Sequence, residues 1–102
     1  MATIELAPKV ADDFDRILDH LERHQARDPE GRIRDIIDAI DVLAHSPQIG
    51  RPVRAGKREL IIGRRERGYV ALYRYVEVID TVFILAIRSQ REAGYPSQAP
   101  NT

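Results

Sequence analysis

The sequence predicts an α+β domain: a short first strand, a two-helix antiparallel hairpin, then a C-terminal antiparallel β-sheet (β-α-α-β-β-β). Three observations carry that expectation. Lys57 to Arg91, KRELIIGRRERGYVALYRYVEVIDTVFILAIRSQR, divides into three strand-like runs that are apolar on both faces and studded with arginine. Upstream, apolar residues recur every three or four positions in two segments, the signature of two amphipathic helices. A chain of 102 residues buries one two-layer core and not a second. A sheet apolar on both sides needs cover on both sides, and this much helix covers one. The uncovered face therefore points to a protein partner.

Thr3–Leu6 alternates, with Ile4 and Leu6 separated by Glu5, as a short strand does. Pro8 suits the first turn of a helix, where its missing N–H is not needed. Val10, Phe14, Ile17, Leu18 and Leu21 then form one stripe, with Asp12, Asp13, Asp15, Asp19 and Glu22 assigned to the solvated face. The second helix opens at Asp28-Pro29-Glu30, an N-cap acid followed by proline at the first position. Its stripe is Ile33, Ile36, Ile37, Ile40 and Leu43, and it ends near His45, before Ser46-Pro47.

Pro47, Gly50, Pro52 and Gly56 punctuate the connection to the sheet. Glu59–Ile62 is the second strand, Gly63 to Gly68 a hairpin loop, Tyr69–Val76 the third strand and Thr81–Arg88 an interior fourth. Strict alternation puts Tyr69, Ala71, Tyr73 and Tyr75 on one face of the third strand and Val70, Leu72, Arg74 and Val76 on the other. In the fourth it sets Val82, Ile84, Ala86 and Arg88 against Phe83, Leu85, Ile87 and Ser89. Which set meets the helices stays open. The domain is expected over residues 1–95, and 96–102 are expected to be disordered.

Zero net charge conceals a polarity. Residues 1–50 hold 6 Lys/Arg against 11 Asp/Glu, net −5; residues 51–102 hold 10 against 5, net +5. Such a distribution either steers an anionic partner or leaves two solvated faces of opposite sign. With no cysteine there is no disulfide or thiolate chemistry, which fits a reducing cytosol. No apolar run reaches the roughly 20 residues of a membrane span and no secretory signal is visible, so a cytoplasmic protein without a membrane partner is expected.

His20 and His24 stand four apart, a spacing that can hold zinc, but with no third ligand they read as solvated helix residues, and no metal or cofactor is expected. No nucleophile elbow, Walker loop or dinucleotide fingerprint is present. Tyr69, Tyr73, Tyr75 and Tyr95 suit core packing, a partner surface or base stacking. Arg64, Arg65 and Arg67 form a basic loop, open either to an anion or to solvent. Arg74 and Arg88 stand inside apolar strands, where a buried guanidinium requires a carboxylate or an anion-binding surface.

One ordered set of residues goes further. Pro47-Gln48-Ile49-Gly50-Arg51-Pro52, Arg58-Glu59-Leu60, Gly68-Tyr69-Val70-Ala71-Leu72-Tyr73-Arg74 and Phe83 through Arg91 follow one another as in a known fold. Over residues 3–95 the chain resembles the RelE/ParE toxins of bacterial type II toxin–antitoxin systems. The resemblance implies a small cytosolic toxin, bound and neutralised by an antitoxin that lays a helix or strand on the hairpin and sheet. Phe14, Leu18, Tyr69, Tyr73, Tyr75, Arg64 and Arg65 are the partner-binding candidates.

RelE-like members cut messenger RNA on the ribosome, and ParE-like members poison DNA gyrase. RelE-like toxins place an arginine directly after the tyrosine of the third strand, where this chain has Val70. Arg91 and Tyr95 are possible counterparts of their late basic and tyrosine residues, at shorter spacing. Many ParE-like members carry a histidine after the last strand, where this chain has Ser89. Gly50-Arg51-Pro52 and the missing strand arginine favour the ParE-like side, with gyrase as target. The alternative is a ribosome-dependent endoribonuclease using Arg58, Arg74, Arg88, Arg91 and Tyr95 for phosphate binding and proton transfer.

Overall fold

The computed structural model of the chain describes residues 1–64 and 68–90. Strand β1 (Thr3–Leu6) leads into helix α1 (Pro8–Arg23), and helix α2 (Pro29–Asp41) follows, extended by a 3-10 turn at Val42–Ala44. Strands β2 (Arg51–Pro52), β3 (Arg58–Ile62), β4 (Tyr69–Val76) and β5 (Thr81–Ser89) complete the chain. They form one sheet in the order β1-β5-β4-β3-β2, with the helices on one face. The α+β architecture and the element order are those the sequence predicts.

Two features depart from the expected sheet. It is mixed, because β1 pairs parallel with β5 through Thr3↔Thr81 to Leu6↔Ile84. The helical hairpin carries the chain from β1 to the opposite edge, and the β2–β3–β4 meander returns it so that β5 runs beside β1 in the same direction. It also gains β2, whose two residues pair with β3 at Arg51↔Glu59 and Pro52↔Arg58. Pro52 is tolerated because β2 is an edge.

Both helices begin at proline, as expected. Asp28 caps α2 by accepting the Gly31 N–H at 3.2 Å, and takes a left-handed backbone to do so. Under the helices lie Val10, Ile17 and Leu21 of α1, Ile36 and Ile40 of α2, and Leu43 of the turn beyond it. Ile37, expected in the stripe, stands at its margin and is exposed.

The face of β4 that meets the helices is the tyrosine face: Tyr69, Ala71 and Tyr73 are buried in this core, with Leu60 and Ile62 of β3 beside them. In β5 the strict alternation is overturned. Tyr73 pairs with Ile84 but Leu72 with Ala86, so Leu85 is an extra residue, a β-bulge. Val82, Ile84 and Ile87 therefore all face the helices, while Ala86 and Arg88 turn to the far side.

Asp13 is the second correction. It is buried at 1% exposure rather than solvated. Its Oδ2 accepts the Ile87 N–H at 2.9 Å, and its Oδ1 takes Lys9 Nζ at 2.7 Å and Arg16 Nη1 at 2.8 Å. Arg16 Nη2 also donates to Ile87 O at 3.2 Å. Pairing with β1 stops at Ile84, so these two side chains take over the open edge of β5 just past the bulge. Burial pushes the Asp13 carboxyl up, but hydrogen bonds from Lys9, the Ile87 N–H and Arg16 outweigh it and hold it below the ordinary range.

Candidate partner-binding site

The face of the sheet turned away from the helices is the candidate site. β4 contributes Val70, Leu72 and Arg74 to it, β5 contributes Phe83, Ala86 and Arg88, and β3 contributes Glu59 and Ile61. At its centre is a groove of ≈ 250 Å³ lined by Glu59, Val70, Leu72, Ala86 and Arg88. The bulge makes this lining: without Leu85 as an extra residue, the position of Ala86 and the groove's end at Arg88 follow a different alternation. Arg51 Nη2 lies 3.1 Å from Glu59 Oε1 and holds the carboxylate towards the β2 edge. Arg88 is exposed at one end, opposite Val70.

At the other end the chain before β3 makes a tight turn at Arg54–Gly56. Ala55 and Gly56 take φ of 60° and 73°, and for an alanine that left-handed backbone is strained. Arg74 Nη2 donates to Ala55 O at 2.8 Å and ties the turn to β4. One step beyond the Arg58↔Tyr73 pair, Lys57 stands across from Arg74. No carboxylate among the described residues pairs with Arg54, Lys57, Arg74 or Arg88.

Of the two alternatives for Arg74 and Arg88, a carboxylate partner or an anion-binding surface, the first is absent among the described residues: both are exposed on the far face, Arg74 bonded to a backbone carbonyl. Arg58 sits apart from the groove, on the helix side, and donates to Gln48 O at 3.0 Å and Gly50 O at 2.7 Å. Tyr69 and Tyr73 are buried beneath the helices rather than presented to a partner. Tyr73 accepts the Gly50 N–H at 2.9 Å, and burial pushes its hydroxyl up, against the opposing pull of that bond and of Arg58. Tyr75 is half-buried and donates to Asp80 Oδ1 at 2.7 Å. Its bond to Asp80 raises its pKa. Phe14 and Leu18 are half-buried on α1, and Arg64 is exposed in the hairpin loop. Arg65, Arg91 and Tyr95 lie outside the described residues.

The structure therefore sets Arg74 and Arg88 of the predicted set on one face, towards opposite ends of the groove, and adds Glu59, Leu72 and Ala86. The signal for these three was the register, since Glu59↔Leu72 and Leu72↔Ala86 are cross-strand pairs. His20 and His24 stack with ring centroids 4.2 Å apart, and His24 Nδ1 lies 2.9 Å from His20 O. Among the described residues no group of three His, Cys, Asp or Glu could hold a metal ion, and no helix is long and apolar enough to cross a membrane.

Similar folds are found among solved structures. One from the chromosomal ParDE toxin–antitoxin system of P. aeruginosa superposes with a TM-score of 0.71 at 25% identity, over 87% of this chain and 96% of that one. The intact E. coli RelBE toxin–antitoxin complex gives 0.59 at 11% identity, with the same coverages of 87% and 96%. A mutant of E. coli toxin RelE in the free state gives 0.55 at 16%, over 99% of this chain and 97% of that one. No curated protein matches the sequence. The family model for the ParE toxin of the type II toxin–antitoxin system parDE matches residues 4–94, nearly all of the described domain. The chain belongs to the ParE toxin family of type II toxin–antitoxin systems.

Proposed function

We propose that this ParE-family toxin inhibits DNA gyrase in the cytoplasm and is neutralised by a cognate antitoxin that covers the far face of its sheet. The observation that carries the choice of target is Val70. It lies in the far-face groove at the position where RelE-like toxins place a strand arginine. RNA cleavage needs cations that activate a 2′-hydroxyl and stabilise the phosphate in flight. Val70, Leu72 and Ala86 give the groove an apolar wall instead. The antitoxin reading is supported by the same face, an apolar surface with charged ends, of the kind that marks an interface. It is supported too by the likeness to toxins of the ParDE and RelBE systems.

Controlled induction in a bacterial host tests the target. DNA-damage signalling and gyrase-linked breaks are expected, with translation continuing in the first minutes. Rapid loss of translation with codon-positioned cuts in messenger RNA, and no such breaks, reverses the assignment in favour of the endoribonuclease. Co-expression with the short reading frame next to the toxin's own is expected to restore growth.

A further inference from the structure

Arg54 and Lys57 flank the turn that Arg74 holds, beyond one end of the far-face groove, and Arg88 lines the other end. Like charges directly opposite on neighbouring strands repel, and continuing the Arg58↔Tyr73 register by one residue sets Lys57 against Arg74. Among the described residues no carboxylate relieves them. The turn beside them is held in a strained backbone by Arg74 itself. The corner is thus built at a cost in stability and carries an unspent positive field. Between the two cationic ends lie the apolar Val70, Leu72 and Ala86, with Glu59 at the β2 side, its carboxylate engaged by Arg51.

Val70, which faces Arg88, and Arg74 lie four positions apart along β4. At ~3.3 Å per residue that is about 13 Å along β4. An extended segment laid along the face points residues i, i+2 and i+4 at the sheet, over the same span. The chemistry that matches is acid, apolar, acid at alternate positions. Nucleic acid fits less well, because only one aromatic, Phe83, lies on this face of β4 and β5 for a base to stack on.

We propose that the Arg54–Lys57–Arg74 corner is a carboxylate-binding site for an extended acidic segment of the partner, whose middle apolar residue fills the Val70–Leu72–Ala86 groove and whose second acid pairs with Arg88. The proposal rests on the reading that an antitoxin covers this face, and it specifies the sequence pattern that antitoxin uses there.

The test is fluorescence anisotropy of the full chain with a labelled peptide, Asp-Ser-Leu-Ser-Asp, against Lys-Ser-Leu-Ser-Lys and an eight-nucleotide oligothymidylate. The acidic peptide is expected to bind, with an affinity that falls as salt rises. Lys57→Glu, Arg54→Glu and Arg88→Glu each weaken it about tenfold or more. Arg74→Glu also removes the bond to Ala55, so Lys57→Glu and Arg54→Glu, which leave that bond in place, decide the matter if Arg74→Glu unfolds. Equal binding of the acidic and basic peptides, tighter binding of the oligonucleotide, or variants without effect overturns the proposal. The parent reading is scored separately. If the adjacent gene's product still restores growth to cells making Lys57→Glu or Arg88→Glu, and the peptide does not bind, the corner is refuted while the antitoxin reading stands. If that product never restores growth, the antitoxin reading itself fails.

Discussion

Asp13 shows how much one side chain can hold. Its carboxylate is the junction of α1, Lys9, Arg16 and the backbone of β5. Removing one partner of a buried, hydrogen-bonded charge leaves the Ile87 N–H orphaned and takes away the carboxylate that Lys9 and Arg16 share. Asp13→Ala is expected to cost about 2–4 kcal/mol, lowering the melting temperature by roughly 10–20 °C in a domain of this size. Acid adds a signature. The folded carboxyl titrates below its ordinary value of 3.8, so its stabilisation is complete above that value and is lost as pH falls through the lower folded one. The wild-type chain is therefore expected to lose stability below about pH 4 more steeply than Asp13→Asn, which binds no proton there. Melts between pH 2.5 and 6 measure the difference. Gly50 and Tyr73 make a second such point. The hydroxyl of Tyr73 satisfies the buried Gly50 N–H, and a Cβ at residue 50 would fall 2.7 Å from the ring. Tyr73→Phe is expected to cost about 1–3 kcal/mol, read by denaturant unfolding, through the donor it orphans rather than through lost volume.

At the scale of the element, β5 decides what the sheet offers to each side. Its bulge puts Ile84 and Ile87 under the helices and frees Ala86 and Arg88 for the groove. Ile87→Ala is expected to destabilise by about 2–4 kcal/mol, and Leu85→Ala, at the half-buried extra residue, by less than about 1.5. Denaturant midpoints that ranked the two the other way would contradict the bulged register. The elements themselves were legible, because proline at both helix starts, the Asp28 cap and the apolar stripes are local signals. The bulge was not. The six consecutive apolar residues from Val82 to Ile87 carry no alternation from which a skipped residue could be noticed. Asp13 was half legible: it lies three residues after Val10 and four before Ile17, on the buried stripe, but an acid amid acids reads as solvent. Arg74 and Arg88 were placed in the right strands, and only pairing with β3 and β5 reveals that they share the far face. The parallel pairing of β1 depends on the whole crossover, which no short window contains.

At the scale of the molecule the two faces of one sheet have opposite duties, and a matched pair of substitutions separates them. Ile84 is wholly buried against the helices, whereas Leu72 is half-buried in the far-face groove. A charge at Ile84 enters the core with no partner, so Ile84→Asp is expected to unfold the chain and lose partner capture with it. A charge at Leu72 faces water in the free protein and the apolar side chain of a partner in the complex. Leu72→Asp is therefore expected to shift the free chain's melting temperature by only a few degrees while weakening capture of the adjacent gene's product by about a hundredfold or more. The partner's own contribution appears in the same experiment. A ligand present at a hundred times its wild-type Kd adds about 2.7 kcal/mol to wild-type stability and about 0.4 kcal/mol or less to Leu72→Asp. Thermal melts with and without the partner, run beside a titration of binding, measure both quantities. Capture unaffected by Leu72→Asp would remove the far face from the interface and return the search to the exposed margin of the hairpin, at Ile37 and Val42.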